Sequence, residues 1–179
     1  MLKKSFLAVF TLLMLTACGN KDEMSAEDQQ KIIDDGTAGF EMNGGKITKA
    51  ENIPADEEKA IMAAFNEYIA AFNSKEIERY MQTLSKNPKG FNYEEEKEFT
   101  TDVFKQNDVK REAKNATIVK YNANEAQVYS NITVHLVQTK TNITHESAGQ
   151  QVTVFVKEDG LWKVTSVFYM DDTQSSTSK

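Results

Sequence analysis

A single cysteine, Cys18, stands in 179 residues. That excludes an intrachain disulfide framework and any cysteine-based zinc site. Arginine occurs only twice, at Arg79 and Arg111, and no basic run follows the first few residues. Nucleic-acid binding needs clustered Lys and Arg to neutralise phosphates. With a net charge of −6 and a pI near 5.1, nucleic acid is not an expected partner. No apolar run reaches the ~18 residues of a membrane span. Histidine is confined to His135 and His145. No His-Glu-x-x-His, phosphate-cradling glycine loop or nucleophile elbow occurs, so no metal or cofactor is implied by motif.

The first residues carry an address. Lys3 and Lys4 precede an apolar run from Phe6 to Ala17, the length of a signal-peptide core. The run ends Leu15-Thr16-Ala17-Cys18, which resembles the lipobox of bacterial lipoproteins. The resemblance implies cleavage between Ala17 and Cys18 and acyl chains on the Cys18 sulfur. Two or more acyl chains, at roughly 0.8 kcal/mol per buried CH₂, hold a protein stably at a bilayer. The expected location is the outer side of a cell membrane, in a Gram-positive bacterium. Loss of Lys3 and Lys4 takes the net charge from −6 to −8. Three Asn-x-Ser/Thr sequons, at Asn115, Asn131 and Asn142, are not expected to be glycosylated in that setting.

Beyond Cys18 the composition shifts once. Five of the eight glycines lie in 19–53, and only Phe40 among the aromatics. Fourteen of the fifteen aromatics after Cys18 lie in 54–170, and a packed core needs those large apolar groups. The division expected is a signal peptide at 1–17, a lipidated Cys18 and polar tether at 18–53, a domain at 54–170 and a polar tail at 171–179. A fully flexible tether of that length spans roughly 30–35 Å. Within it, 25–35 suggests a short helix, and 40–47 a hairpin about its Asn-Gly turn.

In the domain the hydrophobic period is helical first. Ile61, Ala64, Phe65, Tyr68, Ile69 and Phe72 form one stripe over about five turns, with Asp56, Glu57 and Glu58 in the first turn. Ser74 is placed to cap a second helix carrying Ile77, Tyr80, Met81 and Leu84. Asn92 with Glu95 marks a third, with Phe99, Val103 and Phe104 as its apolar face and Glu94-Glu95-Glu96 as a solvated first turn. After Asp108 the period becomes two. Strands are expected near 110–121, 125–139, 149–157 and 161–170, joined as antiparallel hairpins. Helices followed by strands give an α+β fold.

Parity assigns the faces. Even positions hold Ala126, Val128, Ile132, Val134, Val152, Val154, Val156, Trp162 and Val164, so the even face is read as buried. A three-residue loop at 158–160 would pair Val156 with Trp162, and the loop 122–124 would pair Ile118 with Val128. The odd face carries Tyr129, His135, Val137, Phe155, Val167 and Tyr169, expected to form one outward patch. Its aromatic groups, rimmed by Lys157 and Lys163, suit an interface with a second copy or an envelope protein.

Two stretches carry a resemblance. Ala71-Phe72-Asn73-Ser74-Lys75-Glu76-Ile77 is similar to the helix-to-helix corner of the nuclear transport factor 2-like group, which includes ketosteroid isomerase-like proteins. Asp159-Gly160-Leu161-Trp162-Lys163-Val164 resembles the last hairpin of that group. The resemblance implies three N-terminal helices packed on a curved antiparallel sheet of about four strands, with a cone-shaped cavity between. It does not imply one function.

The cavity candidates are Tyr68, Tyr80, Phe104, Ser130, Trp162 and Ser166. Isomerase-like chemistry needs a general base and an oxyanion donor there. The even sheet face offers no Asp, Glu or His, so catalytic residues are not assigned. The expected function is a non-catalytic binding or interaction module at the cell envelope, taking a small apolar ligand or a protein partner. The alternative is an enzyme acting on a small hydrophobic substrate in the cavity.

Overall fold

The computed structural model describes residues 42–43 and 46–171. The signal segment, Cys18, the candidate helix at 25–35 and the tail beyond 171 lie outside the described residues. Two short strands, β1 (Met42–Asn43) and β2 (Lys46–Ile47), pair with Asn43 opposite Lys46. The small hairpin therefore forms with Asn43 in its strand and not in its turn.

Helix α1 (Ala55–Asn73) follows Pro54 and buries Ile61, Phe65, Tyr68, Ala71 and Phe72 along one stripe. Its acidic first turn, Asp56 to Glu58, complements the exposed N–H groups there. Ser74 does not cap the next helix. It closes α1, its hydroxyl donating to the Ala71 carbonyl at 2.9 Å, and Lys75 turns the chain with φ 58°. Helix α2 (Ile77–Gln82) is six residues long and has no side-chain cap. Packing of Tyr80 and Met81 into the core stabilises it in place of propensity. Helix α3 (Tyr93–Gln106) begins as expected: the Asn92 Oδ1 accepts from the backbone of Glu94 and Glu95. Of its expected face, Val103 and Phe104 pack against the core, but Phe99 is 67% exposed and Thr100 is buried in its place.

Four strands follow: β3 (Asn107–Tyr121), β4 (Glu125–Gln138), β5 (Thr144–Glu158) and β6 (Leu161–Asp171). They form one antiparallel sheet in sequence order. The architecture is α+β, helices packed on one face of a meander. Even positions of β4 face the helices as expected, with Ala126, Val128 and Ile132 buried. Ile118 pairs with Val128, also as expected.

Parity fails first between β4 and β5, where even positions meet odd ones, Ala126 opposite Phe155 and Tyr129 opposite Val152. It fails again at the last hairpin, for two reasons. The turn is Asp159-Gly160 alone, with φ of 50° and 79°, the double left-handed geometry of a type I′ turn. Two turn residues in place of three set Lys157 opposite Trp162 and Phe155 opposite Val164. Phe155 therefore faces the helices and is fully buried beside Trp162 and Val164. Val152 and Val154 fall on the other face, in a second cluster with Tyr129, Val119, Phe168 and Ile47. The second reason is a bulge. Val164 pairs with Phe155 but Ser166 pairs with Val154, leaving Thr165 as an extra residue. One extra residue exchanges the faces of everything beyond it. Ser166 thus joins the outer side, and Val167 and Tyr169 turn inward.

The bulge is occupied. The Thr165 carbonyl accepts from the backbone of Lys89 and Gly90 at 2.9 and 3.0 Å. Leu84 forms a parallel bridge to Val164, with the Ser85 N–H donating to the Val164 carbonyl. The connection between α2 and α3 thereby covers the free edge of β6. On the opposite edge, the Ala50 N–H donates to the Ile118 carbonyl of β3 at 2.8 Å. Packing of Ile47, Ala50 and Ile53 thus extends the domain upstream of Pro54.

Candidate functional site: a polar wall in a cone-shaped cavity

Between the helices and the concave sheet lies a cavity of about 350 Å³. Helix α1 contributes Tyr68, α2 contributes Tyr80, α3 contributes Glu96, β3 contributes Arg111 and β6 contributes Tyr169. The remaining walls are largely apolar, including Leu84, Ile132, Val134 and Val164.

The polar groups form a connected wall. The Tyr80 hydroxyl donates to Glu96 Oε1 at 2.7 Å, and the Thr100 hydroxyl donates to the same oxygen at 3.1 Å. The Tyr68 and Tyr80 rings lie side by side, 5.7 Å between centroids. Arg111 Nη1 donates to the Tyr68 hydroxyl oxygen at 3.1 Å, and its guanidinium stacks 3.5 Å from the Phe72 ring centre. Burial pushes the Tyr80 hydroxyl well above its usual pKa, reinforced by the neighbouring Tyr68 oxygen and the Glu96 charge. Tyr80 is therefore a neutral donor across the physiological range and a poor proton acid.

Local sequence explains each placement. The Asn92 cap fixes the phase of α3. Glu94 and Glu95 point to solvent, while Glu96, one turn before buried Thr100, points inward. The expectation of a wholly solvated acid run is corrected at Glu96. The cavity is not acid-free, because its carboxylate comes from a helix and not from the sheet. Arg111 sits at an odd position of β3, and β3 pairs odd with even against β4 over that stretch, Arg111 opposite Val134. Its backbone is clamped by Asn73, which donates to the Arg111 carbonyl and accepts from its N–H, both at 2.8 Å.

Of the cavity candidates, Tyr68 and Tyr80 line the space. Phe104 stands behind them, its ring 5.1 Å from Phe72 and 6.5 Å from Tyr80. Ser130 is fully buried on β4 and its hydroxyl has no hydrogen-bond partner. Trp162 belongs to the core near α1, its indole N–H donating to Glu57 Oε2 at 2.9 Å. Ser166 is on the outer side.

The six expected interface residues do not make one patch. Phe155 is core, and Val167 and Tyr169 line the cavity. Tyr129 is buried in the outer cluster against which Ile47 packs. His135 remains on the outer face, 2.8 Å from Glu146, and Val137 lies two residues further along β4. Among the described residues no group of His, Cys, Asp and Glu is placed to hold a metal. Arg111 and Glu96 escaped the sequence reading. The only sequence signal for Arg111 is rarity, since it is one of two arginines in the chain and lies in a strand-like stretch.

These features define a class. Three helices on a curved four-stranded antiparallel meander, enclosing a cone-shaped cavity, is the nuclear transport factor 2-like fold. A superfamily protein of that type from Salmonella enterica serovar Typhimurium superposes with a TM-score of 0.60 at 13% identity, over 68% of this chain and 95% of that one. A ketosteroid isomerase-like protein from Erwinia carotovora atroseptica gives 0.56 at 22% identity, over 66% and 98%. A hexachlorocyclohexane dehydrochlorinase (LinA) gives 0.57 at 10% identity, over 65% and 86%. The likeness is one of fold. No curated protein matches the chain. Over residues 63–171, more than half its length, the chain belongs to the family described as the C-terminal domain of the anti-sigma-I factor RsgI9.

Proposed function

We propose that this protein is a lipid-anchored envelope protein whose domain binds a small, largely apolar ligand in the cone-shaped cavity without transforming it. The anchor rests on the lipobox-like Leu15-Thr16-Ala17-Cys18 behind a charged and apolar leader. The cavity reading rests on the Tyr80–Glu96 hydrogen bond. Glu96 Oε1 is held by two donors, Tyr80 and Thr100, and Tyr80 is held neutral by burial. Both act as fixed wall groups that orient a ligand. The family description, which names a domain of an anti-sigma factor and not an enzyme, agrees with a binding module.

The enzyme reading keeps one specific support. A carboxylate, two tyrosine hydroxyls and an arginine share a single cavity, the inventory of an acid-base site. Native mass spectrometry of protein extracted from its own membrane separates the two. Binding predicts a co-purifying small molecule of constant mass. A second mass that accumulates with time, and fails to do so in Glu96→Gln, would establish turnover instead.

A further inference from the structure

The two arginines of this chain are treated differently. Arg79 is on the surface and fully engaged: its Nε and Nη2 grip both oxygens of Glu67, and Glu76 lies 3.5 Å away. Arg111 is inside the cavity wall and has one side-chain hydrogen bond among the described residues, to the Tyr68 hydroxyl oxygen. No carboxylate of the described residues is within ion-pair distance of it. A guanidinium carries five N–H donors in a planar fork. Four of them are therefore unassigned, on a side chain that Phe72 stacking and the Asn73 clamp hold in a fixed position.

A second polar group in the same cavity is unassigned. The Tyr169 hydroxyl is shielded from solvent and has no hydrogen-bond partner. Its place is built in: Tyr169 pairs with Gln151 of β5 and its ring leans over Gly149, two residues before, where a Cβ would come within 2.9 Å of the Tyr169 hydroxyl and 2.2 Å of the Met170 carbonyl. Tyr68 adds a third donor, since its oxygen accepts from Arg111 and its proton remains to be given. All three groups donate. A buried donor left without an acceptor is costly, as at the Tyr169 hydroxyl, so a site of this kind is completed by an acceptor-rich ligand.

We propose that the cavity recognises the carboxylate of a small apolar monocarboxylic acid, with Arg111 as its bidentate partner and Tyr68 and Tyr169 as further donors. The planar fork matches a carboxylate better than a single carbonyl or hydroxyl oxygen. Leu84, Ile132, Val134 and Val164 receive the apolar remainder. Glu96 balances the cation through space without bonding it, and so leaves the fork open. At about 350 Å³ the space suits a ligand at the small end of the range, since small-molecule sites run from about 300 to 1,000 Å³.

This inference rests on the ligand-binding reading above, and the test separates their failures. The full chain is titrated calorimetrically at neutral pH with two matched pairs, hexanoate against 1-hexanol and benzoate against benzyl alcohol. The acid of at least one pair is expected to bind about tenfold or more tighter than its alcohol, the scale of a charge-assisted bidentate contact. Arg111→Gln brings the acid to the level of the alcohol and leaves the alcohol unchanged. Tyr169→Phe, which keeps the ring and the fold, weakens the acid alone. Equal binding of acid and alcohol overturns the carboxylate assignment while the cavity reading stands. Binding of neither pair overturns both. If Arg111→Gln fails to fold, the wild-type pairs and Tyr169→Phe decide the matter.

Discussion

Asn73 and Arg111 are joined by two backbone-directed hydrogen bonds, one in each direction, both at 2.8 Å. Asn73 is the last residue of α1, and Arg111 sits near the start of β3 at the sheet edge. The corner that ends the helix thus sets the position of the cavity cation. A side-chain amide mimics a backbone strand here, which lets α1 dock on an edge whose N–H and C=O would otherwise be unpaired.

Asn73→Ala is expected to lower stability by about 1–3 kcal/mol, the cost of leaving backbone groups unsatisfied. Urea denaturation measures it. Asn73→Asp keeps the acceptor and loses the donor, so it should fall between wild type and alanine. Equal stability of all three proteins would show that solvent replaces the clamp.

Trp162 connects the last hairpin to α1. It is 5% exposed, its ring lies 6.4 Å from Tyr121, and its N–H reaches Glu57. Trp162→Ala is expected to cost about 3–5 kcal/mol. A loss below about 1 kcal/mol, read by chemical denaturation, would contradict its place in the core. Trp162→Phe retains much of the packing but not the hydrogen bond, and should lose less.

Glu57 accepts from Lys157 at 2.5 Å and from Trp162 at 2.9 Å. These hydrogen bonds, Lys157 first, hold its carboxyl below the ordinary range. A carboxylate depressed in the folded state stabilises that state above its unfolded pKa, near 4.3 for glutamate. The contribution disappears as pH falls through the lower folded value. Melting temperatures of wild type and Glu57→Gln should therefore differ most at neutral pH and converge as the solution is acidified below about pH 4. A gap that widens on acidification would reverse the assignment.

Cys18→Ala tests the anchor. The variant is expected to partition into the aqueous phase of a detergent phase separation, or to keep its uncleaved leader, while the native chain enters the detergent phase. Metabolic labelling with an alkyne-tagged fatty acid should mark only the native chain. Unchanged partitioning and labelling of the variant would refute lipidation.

Local chemistry in the sequence determined a good deal of this protein. The apolar stripe from Ile61 to Phe72 predicts α1, Asn92 predicts the start of α3, and the change of period after Asp108 predicts the sheet. Each is a short-range signal, and the class α+β follows from their order. Face assignment on β4 also follows, because the even positions Ala126, Val128 and Ile132 are apolar and buried, with the small Ser130 between them.

Only the tertiary structure decided the rest. A parity argument counts residues, and a single bulged residue inverts it. Thr165 is such a residue, and nothing in Val164-Thr165-Ser166 distinguishes it locally. The bulge exists because the segment after α2 donates two backbone N–H groups to its carbonyl, a contact across more than 70 residues of chain. Past it, Val167 and Tyr169 become cavity wall and Ser166 does not. The β4–β5 register, which sets Phe155 opposite Ala126, and the type I′ turn at Asp159-Gly160, which sets it opposite Val164, together place Phe155 in the core. Glu96 and Arg111 lay in plain sight in the sequence, but one belongs to a helix and the other to an edge strand. Only the docking of α3 and α1 against β3 sets them around one cavity, because long-range packing, and not local pattern, fixes which charged side chains are turned inward.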